Sequence, residues 1–258
     1  MLRPKEKDAD IFERFPKLKK IPQDRFPQHV HIIPDGNGRW ANKFHKFPLF
    51  GHKKGAEVLK KIIRELDKLP INTVSVWGFS ADNWKRSSNE IKGLMAIFEK
   101  TIKEMQKELM EKETRFFHLG RKDRIPNSLK EILEETEEMT KNFKKKKFSA
   151  AIDFGGVDQE IRIMKLVQKL PKDTIIDTQL LDKLRDGGGQ ITPADLIIRT
   201  SGENRTSDLG WIAQNAEFYS IEKLLPDSDI NDFIEALVDY SKRERRFGGR
   251  LNHGITTI

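Results

Sequence analysis

Short apolar stretches alternate along the chain with longer stretches in which apolar residues recur at helical spacing. This order is typical of a mostly parallel β-sheet covered by helices on both faces. The helical spacing is clear in 59–66 and extends furthest in 89–112, which contains no proline and a single glycine. We therefore predict a single α/β domain with a central sheet of about six strands. The stretches that predict the strands are 29–33, 73–79, 116–119, 148–154, 196–198 and 218–221.

Length and composition narrow the class of protein. A chain of 258 residues can bury a large core without disulfides, and the lack of cysteine excludes thiol nucleophiles and cysteine-bound metal sites. Residues 1–25 are polar and rich in lysine and proline, so we expect an N-terminal extension loosely attached to a domain spanning 26–258. Neither a signal peptide nor a membrane-spanning stretch is recognisable, and we expect a cytoplasmic protein.

The charge balance admits several partners. The chain carries 48 Lys and Arg against 40 Asp and Glu, a net charge of +8, which would suit nucleic acid, an anionic membrane surface or phosphorylated substrates. Much of the lysine lies in helical stretches or in 144–147, where a solvated surface is the simpler interpretation. No helix-turn-helix, zinc module or RNA-recognition signature is recognisable, so we expect no nucleic-acid partner.

Polar residues cluster directly after four of the predicted strands. In parallel α/β sheets, ligands bind beyond the carboxyl ends of the strands, so these four loops are expected to converge on one edge. They supply a carboxylate, several arginines, hydroxyl and amide donors, and glycines that let backbone N–H groups approach an anion. Such a set suits a diphosphate. The loops are 34–40, 80–86, 153–156 and 199–205, with the sequences PDGNGRW, SADNWKR, DFGG and RTSGENR.

Asp35 indicates that a metal ion is needed at this edge. Its carboxylate would repel a diphosphate unless a divalent cation lies between them, and magnesium is the economical inference. The joint placement of these residues after successive strands favours a functional interpretation over a structural one. Taken singly, each has a plainer role: Asp35 in a turn, His52 as a structural histidine, Arg199 and Arg205 as surface charges, Trp40 and Trp84 in packing.

An ordered set of segments between about residues 29 and 249 resembles the signature regions of the cis-prenyltransferases, the undecaprenyl diphosphate synthase family. The resemblance implies the fold of that family, with 26–258 as its catalytic domain. It further implies a magnesium-dependent enzyme that lengthens an allylic isoprenyl diphosphate with isopentenyl diphosphate. A homodimer is also implied, and we expect a peripheral membrane contact through the lipid product. The segments are HVHIIPDGNGRW, Gly51-His52 with Gly55, GFSADNWKR, RTSGENR with Ser207, and RERRFGG.

The resemblance assigns roles residue by residue. Asp35 matches a magnesium-binding aspartate that supports departure of the allylic diphosphate, and Glu217 matches a second acidic residue near the metal. The implied catalytic residues are Asp35, His52, Ser80 and Asn83. The implied substrate-binding residues are Gly36, Asn37, Gly38, Arg39, Trp40, Trp84 and Arg86, then Arg199, Arg205 and Ser207 for isopentenyl diphosphate, and finally Arg246 and Gly248 in a C-terminal segment that reaches the neighbouring active site in dimers of the family.

The chain also departs from the family pattern. An arginine that binds diphosphate is replaced by Pro48, with Lys46 nearby as a candidate substitute, and the usual NYGGR is replaced by DFGGV, which loses an arginine and gains an acid. Two other functions on the same fold therefore stay open. One is an enzyme that makes a short or irregular coupling, and the other is a non-catalytic subunit of a heteromeric prenyltransferase. The departures are at Pro48, Asp153, Val157, Thr206 and Ile212.

Overall fold

Six parallel strands form the centre of the protein in the computed structural model, which describes residues 10–247 and 249. The strands are β1 (His29–Ile33), β2 (Thr73–Ser80), β3 (Thr114–Leu119), β4 (Lys146–Phe154), β5 (Leu196–Thr200) and β6 (Glu217–Ile221). They lie in the order β3-β4-β2-β1-β5-β6, and each neighbouring pair is parallel. All six strand-like stretches form strands, so the predicted fold class is confirmed.

Helices flank this sheet and connect its strands. The predicted long helix at 89–112 is present as Ser88–Glu111; it begins after Ser87, whose hydroxyl accepts a hydrogen bond from the Glu90 N–H. It ends where Glu113 adopts a left-handed conformation with φ of 52°. The helices of the described residues are α1 (Ile11–Arg14), α2 (Asn37–Lys43), α3 (Pro48–Leu66), α4 (Ser88–Glu111), α5 (Asn127–Met139), α6 (Gly156–Val167), α7 (Thr178–Leu184) and α8 (Ile230–Ser241).

Both faces of the sheet are buried. On the first face, Val30 and Ile32 join a large apolar cluster that is completed by α3, α4, α5 and α8. On the second face, Ile33 and Trp77 join a smaller cluster with Leu209 from the connection between β5 and β6. Strands buried on both faces carry apolar residues at most positions, which is why they are recognisable as short apolar stretches. Among the described helices, none combines the length and apolar character that a membrane span requires.

The N-terminal segment 10–25 is part of the core rather than a loose extension. Ile11 and Leu18 are 1% and 0% exposed and belong to the apolar cluster of the first face. An ion pair of 2.8 Å joins Arg14 to Glu65 at the end of α3. The expectation that residues 1–25 are loosely attached is therefore wrong for 10–25, because a few apolar side chains within a polar segment are enough to anchor it.

The strand order reverses next to β1. The chain leaves β1 for β2 on one side, whereas β5 lies on the other side. The register sets Ile33 of β1 opposite Arg199 of β5, so the loop after β1 and the end of β5 start side by side. In open parallel sheets, the crevice at such a reversal is where ligands bind.

Two buried histidines on the second face share one hydroxyl group. The Ser75 Oγ lies 2.6 Å from His29 Nε2 and 2.6 Å from His31 Nδ1. Burial lowers the pKa of His29 to about 4, and burial lowers the pKa of His31 to about 3. Both values are below the ordinary pKa of about 6.5. Between the lowered pKa values of the folded protein and the ordinary value of about 6.5, the unfolded chain therefore binds more protons than the folded protein.

We predict that stability falls as the pH drops from about 6.5 towards 4, because protonation of these histidines favours the unfolded chain. The melting temperature, measured across this range, should decrease steadily. Replacing both residues, His29→Gln with His31→Gln, should flatten the dependence, even though the variant also melts lower at neutral pH. An unchanged slope in the double variant would show that other groups control the acid response.

Candidate active site

A cavity of about 340 Å³ opens beyond the carboxyl ends of β1, β2 and β5 and continues between α3 and α4. Its mouth is polar, and its interior between α3 and α4 is mostly apolar. The cavity thus matches a ligand with a charged head and a hydrocarbon body. The polar lining comprises Asp35, Asn37, His52, Lys60, Ser80, Asp82, Asn83, Arg86, Thr101, Arg199, Ser207 and Asp208, and the apolar lining includes Leu59, Ile63, Leu94, Phe98, Ile102, Met105, Phe148 and Ile152.

The Asp35 carboxylate is the centre of the polar end. Its Oδ2 accepts a hydrogen bond of 2.8 Å from Arg199, and its Oδ1 accepts bonds from Arg39 at 3.1 Å and from the Gly36 N–H at 2.6 Å. The backbone of Asp35 is fixed separately, since its N–H lies 2.8 Å from the Thr200 hydroxyl oxygen, and its carbonyl accepts from the same hydroxyl. The loop after β1 is therefore tied to the end of β5.

Asp35 is ionised at neutral pH. Burial raises its pKa, but the hydrogen bonds and positive charges of Arg199 and Arg39 outweigh this effect, so the pKa lies below its usual value. Its side chain remains 28% exposed. A carboxylate that is charged, held in place and open to the cavity is suited to meet a cation that arrives with a substrate.

Arg199 links three parts of the site. This arginine, at the end of β5, is 6% exposed and donates to Asp35, to the Arg205 carbonyl at 2.7 Å and to the Ser207 hydroxyl at 3.0 Å. Its Nε has no hydrogen-bond partner among the described residues. A buried guanidinium with one unpaired N–H at the mouth of a cavity fits an anionic ligand.

Arg39 and Arg205 complete the positive charge at the mouth. Arg39 donates to the Ser201 hydroxyl at 2.6 Å and lies 3.3 Å from Glu203. Arg205 is largely exposed and also pairs with Glu203. Glu203 is not among the predicted site residues, although it lies within the motif RTSGENR. Because it is shared by two arginines, Glu203 holds both of them near the entrance.

Close backbone packing fixes the loop after β1. Gly36 has φ of 98°, and a Cβ atom there would lie 2.7 Å from Leu224, so this position requires glycine. A Cβ atom on Gly51 would lie 2.0 Å from the Asn37 carbonyl oxygen, and one on Gly55 would lie 2.0 Å from the Asn37 side chain. The glycines of α3 therefore set the position of Asn37, whose Oδ1 is buried without a partner in the described chain.

The loop after β2 contributes a second polar wall. Ser80 and Asn83 form a capping box, in which the Asn83 side chain accepts from the Ser80 N–H at 3.1 Å. Arg86 donates to Glu90 at 3.0 Å, and His52 Nε2 lies 3.7 Å from the same carboxylate. Glu90, which the sequence analysis did not select, thereby joins α3, α4 and this loop.

His52 is neutral at physiological pH. Burial, together with the positive charge of Arg86, lowers its pKa to about 4 although Glu90 opposes the shift. A neutral imidazole offers one N–H donor and one acceptor. His52 is therefore suited to hydrogen bonding with a ligand and not to supplying a positive charge.

Two of the predicted substrate-binding side chains, Trp40 and Trp84, lie away from the cavity. Trp40 donates to Asp227 at 2.6 Å and stacks on Phe50, and Trp84 packs edge-on against the Phe79 ring. Neither indole lines the cavity, and the Arg205 side chain points to solvent near its mouth. Gly38 has open space around its α-carbon, so no steric reason for glycine is evident there.

Glu217 is not part of this site within one chain. It is the first residue of β6 and pairs with Leu196, which in turn pairs with Val30. Asp35 follows five residues after Val30, roughly 16 Å further along the sheet at about 3.3 Å per residue. The Glu217 carboxylate accepts instead from Arg243 at 2.9 Å. The prediction that Asp35 and Glu217 share a metal ion is therefore wrong for a single chain.

The C-terminal segment lies at the same distant edge. Arg245 pairs with Asp195, which precedes β5, and the exposed Arg246 is 3.9 Å from Glu244. Arg246 therefore does not reach the cavity of its own chain. Gly248, the other predicted residue of this segment, lies outside the described residues.

The carboxylates present suit one mode of magnesium binding. Among the described residues, no three Asp, Glu or His side chains surround a common point. Magnesium is commonly held by one or two carboxylates together with substrate phosphates and water. The ionised Asp35, beside arginines that can hold those phosphates, fits this mode.

Comparison with known proteins shows the family of this chain. A family model of undecaprenyl diphosphate synthase matches residues 33–248. The isoprenyl transferase of Prochlorococcus marinus is 38% identical over 237 residues, which cover 89% of this chain and 86% of the relative. The chain belongs to the undecaprenyl diphosphate synthase family. Dehydrodolichyl diphosphate synthase 4 of Arabidopsis thaliana is likewise 38% identical, over 90% of this chain and 83% of its own.

A solved structure of this prenyltransferase family shares the architecture. Lavandulyl diphosphate synthase from Lavandula x intermedia, in complex with dimethylallyl diphosphate, matches with a TM-score of 0.80 and 30% identity over 87% of this chain and 99% of that chain. The family resemblance drawn from the motifs is confirmed, and with it the prediction of a prenyl-transferring enzyme.

Some departures from the family pattern have a structural explanation. Pro48 occupies the first turn of α3, where its missing N–H costs no hydrogen bond. Lys46 lies over the Phe50 ring and does not line the cavity. It therefore does not take the place of the diphosphate-binding arginine that Pro48 replaces. Ile212 is fully buried in the cluster of the second face. Nothing in the structure explains Thr206, and Val157 is exposed on α6.

Asp153 holds the loop after β2 in this prenyltransferase. It is fully buried with φ of 57°, and its carboxylate accepts from the Trp84 indole N–H at 2.8 Å and pairs with Arg124. Arg124 also lies 5.8 Å from the Trp84 ring centre. The acid gained at this position thus positions Trp84, and through it the loop 80–86.

Asp153→Ala should destabilise the protein by about 2–4 kcal/mol, because it leaves the Trp84 N–H and Arg124 without their acceptor. Asp153→Asn should cost less, since asparagine tolerates the left-handed backbone and retains one acceptor. Chemical denaturation measures both. The control is Asp123→Ala, which removes an exposed partner of Arg121 and should cost less than about 1 kcal/mol. Equal losses at positions 123 and 153 would contradict this role for Asp153.

Proposed function

We propose that the protein is a magnesium-dependent cis-prenyltransferase, which condenses isopentenyl diphosphate with an allylic isoprenyl diphosphate to form a cis-polyprenyl diphosphate. The observation that carries the proposal is one continuous cavity with Asp35 and arginines at its mouth and an apolar interior between α3 and α4. A diphosphate suits the first part, and a growing hydrocarbon suits the second.

The side chains divide into two groups around the reacting ends. Asp35 would hold magnesium, which supplies neutralisation of the negative charge that grows on the leaving diphosphate. Asn37 and Arg39 hold that diphosphate, whereas Arg199 and Ser207 hold isopentenyl diphosphate. The allylic carbon becomes electron-poor as its bond to oxygen breaks, and the double bond of isopentenyl diphosphate supplies the electron pair for the new carbon–carbon bond. Loss of a proton then leaves the new double bond.

The apolar interior has room to extend. A second, smaller cavity of about 40 Å³ lies deeper along the same face, and it shares Lys60, Ile63, Met105 and Phe148 with the first. These four side chains line both spaces. The far cavity is lined by charged residues that include Asp67 and Glu108. A hydrocarbon that passed the three apolar side chains would therefore meet a polar boundary.

We infer that the active form is a homodimer, joined near the late strands and the C-terminal segment. Two features support this arrangement. Arg246 and Glu217 lie far from their own cavity, as expected of residues that act across a dimer. In addition, α6 exposes Val157 and Met164, at 59% and 63%, which leaves apolar surface for a second copy to cover. The cytoplasmic location stays a prediction.

Incubation with magnesium, labelled isopentenyl diphosphate and allylic primers of several lengths tests the proposal. Products of several condensations with cis double bonds are expected, and a chelator should abolish them. A single condensation product would favour the short or irregular coupling enzyme, which the likeness to lavandulyl diphosphate synthase keeps open. Absence of product from every primer, with a folded protein, would favour the non-catalytic subunit.

A further inference from the structure

An aromatic and basic surface that does not line the cavity lies on α2, the start of α3 and the connection between them. We refer to it as the α2–α3 surface. Three phenylalanines within seven residues project there: Phe44 is 54% exposed, Phe47 is 86% exposed and Phe50 is 49% exposed. The surface comprises Trp40, Phe44, Phe47 and Phe50 with Lys43, Lys46 and Lys53.

The aromatic rings form a fixed group and not scattered side chains. The Trp40 ring centre lies 4.7 Å from that of Phe44 and 5.9 Å from that of Phe50, and the second pair is nearly parallel. The Trp40 N–H is bonded to Asp227, which holds the indole in place. A rigid aromatic group open to water exposes apolar area that a binding partner would cover.

The charge around these rings is mostly positive, with the exposed Asp227 carboxylate at Trp40 as an acidic exception. Residues 36–56 contain five basic side chains (Arg39, Lys43, Lys46, Lys53 and Lys54) and no Asp or Glu. Of these, Lys43, Lys46 and Lys53 form no ion pair with any residue of the described chain, and the Lys46 ammonium lies 6.0 Å from the Phe50 ring centre. The exposed face of α6 differs, because Glu160, Arg162 and Lys165 mix both signs there.

We propose that the α2–α3 surface binds an anionic lipid bilayer. Aromatic rings insert favourably at the boundary between headgroups and acyl chains, and each lysine near an anionic surface adds attraction. The combination of exposed phenylalanine with unopposed lysine matches both requirements, whereas a second copy of this basic surface would be repelled. The binding requires neither catalysis nor a lipid product.

The α2–α3 surface belongs to the same two helices as one wall of the cavity, which suggests a role for membrane binding. Other side chains of the same two helices, Asn37, His52 and Leu59, line the cavity. A bilayer bound to the α2–α3 surface would therefore lie beside the mouth of the cavity. This arrangement would keep an apolar ligand near lipid as it enters or leaves.

Cosedimentation with vesicles tests the proposal on the full chain without substrates. The protein should bind vesicles of phosphatidylcholine with about 30% phosphatidylglycerol, bind neutral phosphatidylcholine vesicles much more weakly, and dissociate as salt is raised. Phe44→Ser with Phe47→Ser should weaken binding at least about tenfold, since two inserted rings are lost. Lys43→Gln with Lys46→Gln should weaken it about fivefold for each lysine.

Matched controls distinguish binding through this surface from nonspecific binding through other exposed side chains. Ile175→Ser with Ile176→Ser removes apolar side chains that are 79% and 69% exposed elsewhere, and should leave vesicle binding unchanged. Lys100→Gln with Lys107→Gln removes two exposed charges of α4 and should have little effect. A thermal melt of each variant verifies that it is folded.

Three results would overturn the proposal. The first is wild-type protein that does not bind anionic vesicles, and the second is equal binding by the Phe44/Phe47 variant and wild type. The third is a phenylalanine variant that loses self-association in sedimentation but binds vesicles normally, which would make the surface a contact between copies. Prenyl transfer without vesicles is a separate measurement, so failure here leaves the proposed function untouched.

Discussion

Asp35→Ala is expected to lower turnover about a thousandfold while the protein remains folded. The carboxylate would act through a cation on charge that develops as the diphosphate leaves, so its loss affects the transition state more than substrate binding. A thousandfold loss corresponds to about 4 kcal/mol, a reasonable size for a preorganised electrostatic contact. The backbone of Asp35 is held by Thr200 independently of the side chain, and this supports survival of the fold.

The matched control is Asp82→Ala. Asp82 also lines the cavity, but its side chain is 74% exposed and pairs only with Lys85 among the described residues. It should retain near-normal turnover. Turnover and melting temperature are measured on both variants. The melting temperature of Asp35→Ala should decrease modestly, because Arg199 loses its carboxylate partner. A folded Asp35→Ala protein with normal magnesium-dependent turnover would falsify the assignment.

Arg199→Ala and Arg205→Ala are expected to differ, although the sequence alone gives both arginines the same role. Arg205 is 63% exposed near the mouth, so its removal should raise the KM for isopentenyl diphosphate by about tenfold and leave turnover largely intact. The buried Arg199 also donates to Asp35 and Ser207. Its removal should lower kcat/KM by about a hundredfold or more and reduce turnover as well.

Separate titrations of the two substrates distinguish these outcomes. For Arg205→Ala, the KM of the allylic substrate should change little. If it rises as much as that of isopentenyl diphosphate, the two subsites have been divided incorrectly. If Arg199→Ala changes only a KM and leaves turnover at the wild-type level, its contact with Asp35 has no part in the reaction.

The sheet could be predicted from the sequence because its strands are buried on both faces. The stretches 29–33 and 148–154 are apolar enough to stand out without any knowledge of their neighbours. Polar residues that follow parallel strands must meet at one edge of the sheet. For this reason the sequence places Asp35 and Arg199 at the same edge of the sheet. The pairing of β1 with β5, which the structure adds, brings the two side chains into hydrogen-bond contact.

Contacts between distant segments could not be predicted in this way. The sequence pattern places Asp153 at the end of the predicted strand 148–154, but it does not reveal that its partner Arg124 lies 29 positions earlier. Trp84 and Arg124 share no local pattern with it. Glu217 is a different case, because its place at the start of a parallel strand already puts it at the edge opposite Asp35. The family resemblance assigns Glu217 to the metal site, whereas its position just before a predicted strand already argues against that site.

The anchoring of residues 10–25 limits where the chain can be shortened. A cut before residue 26 looks harmless on the printed sequence, since it removes mostly polar residues. It would strip Ile11 and Leu18 from the apolar cluster and remove the Arg14 partner of Glu65. Glu65 belongs to α3, the helix that carries His52 and the glycines around Asn37. Trimming for crystallisation, or fusing a reporter at this point, would therefore loosen the helix that shapes the catalytic pocket.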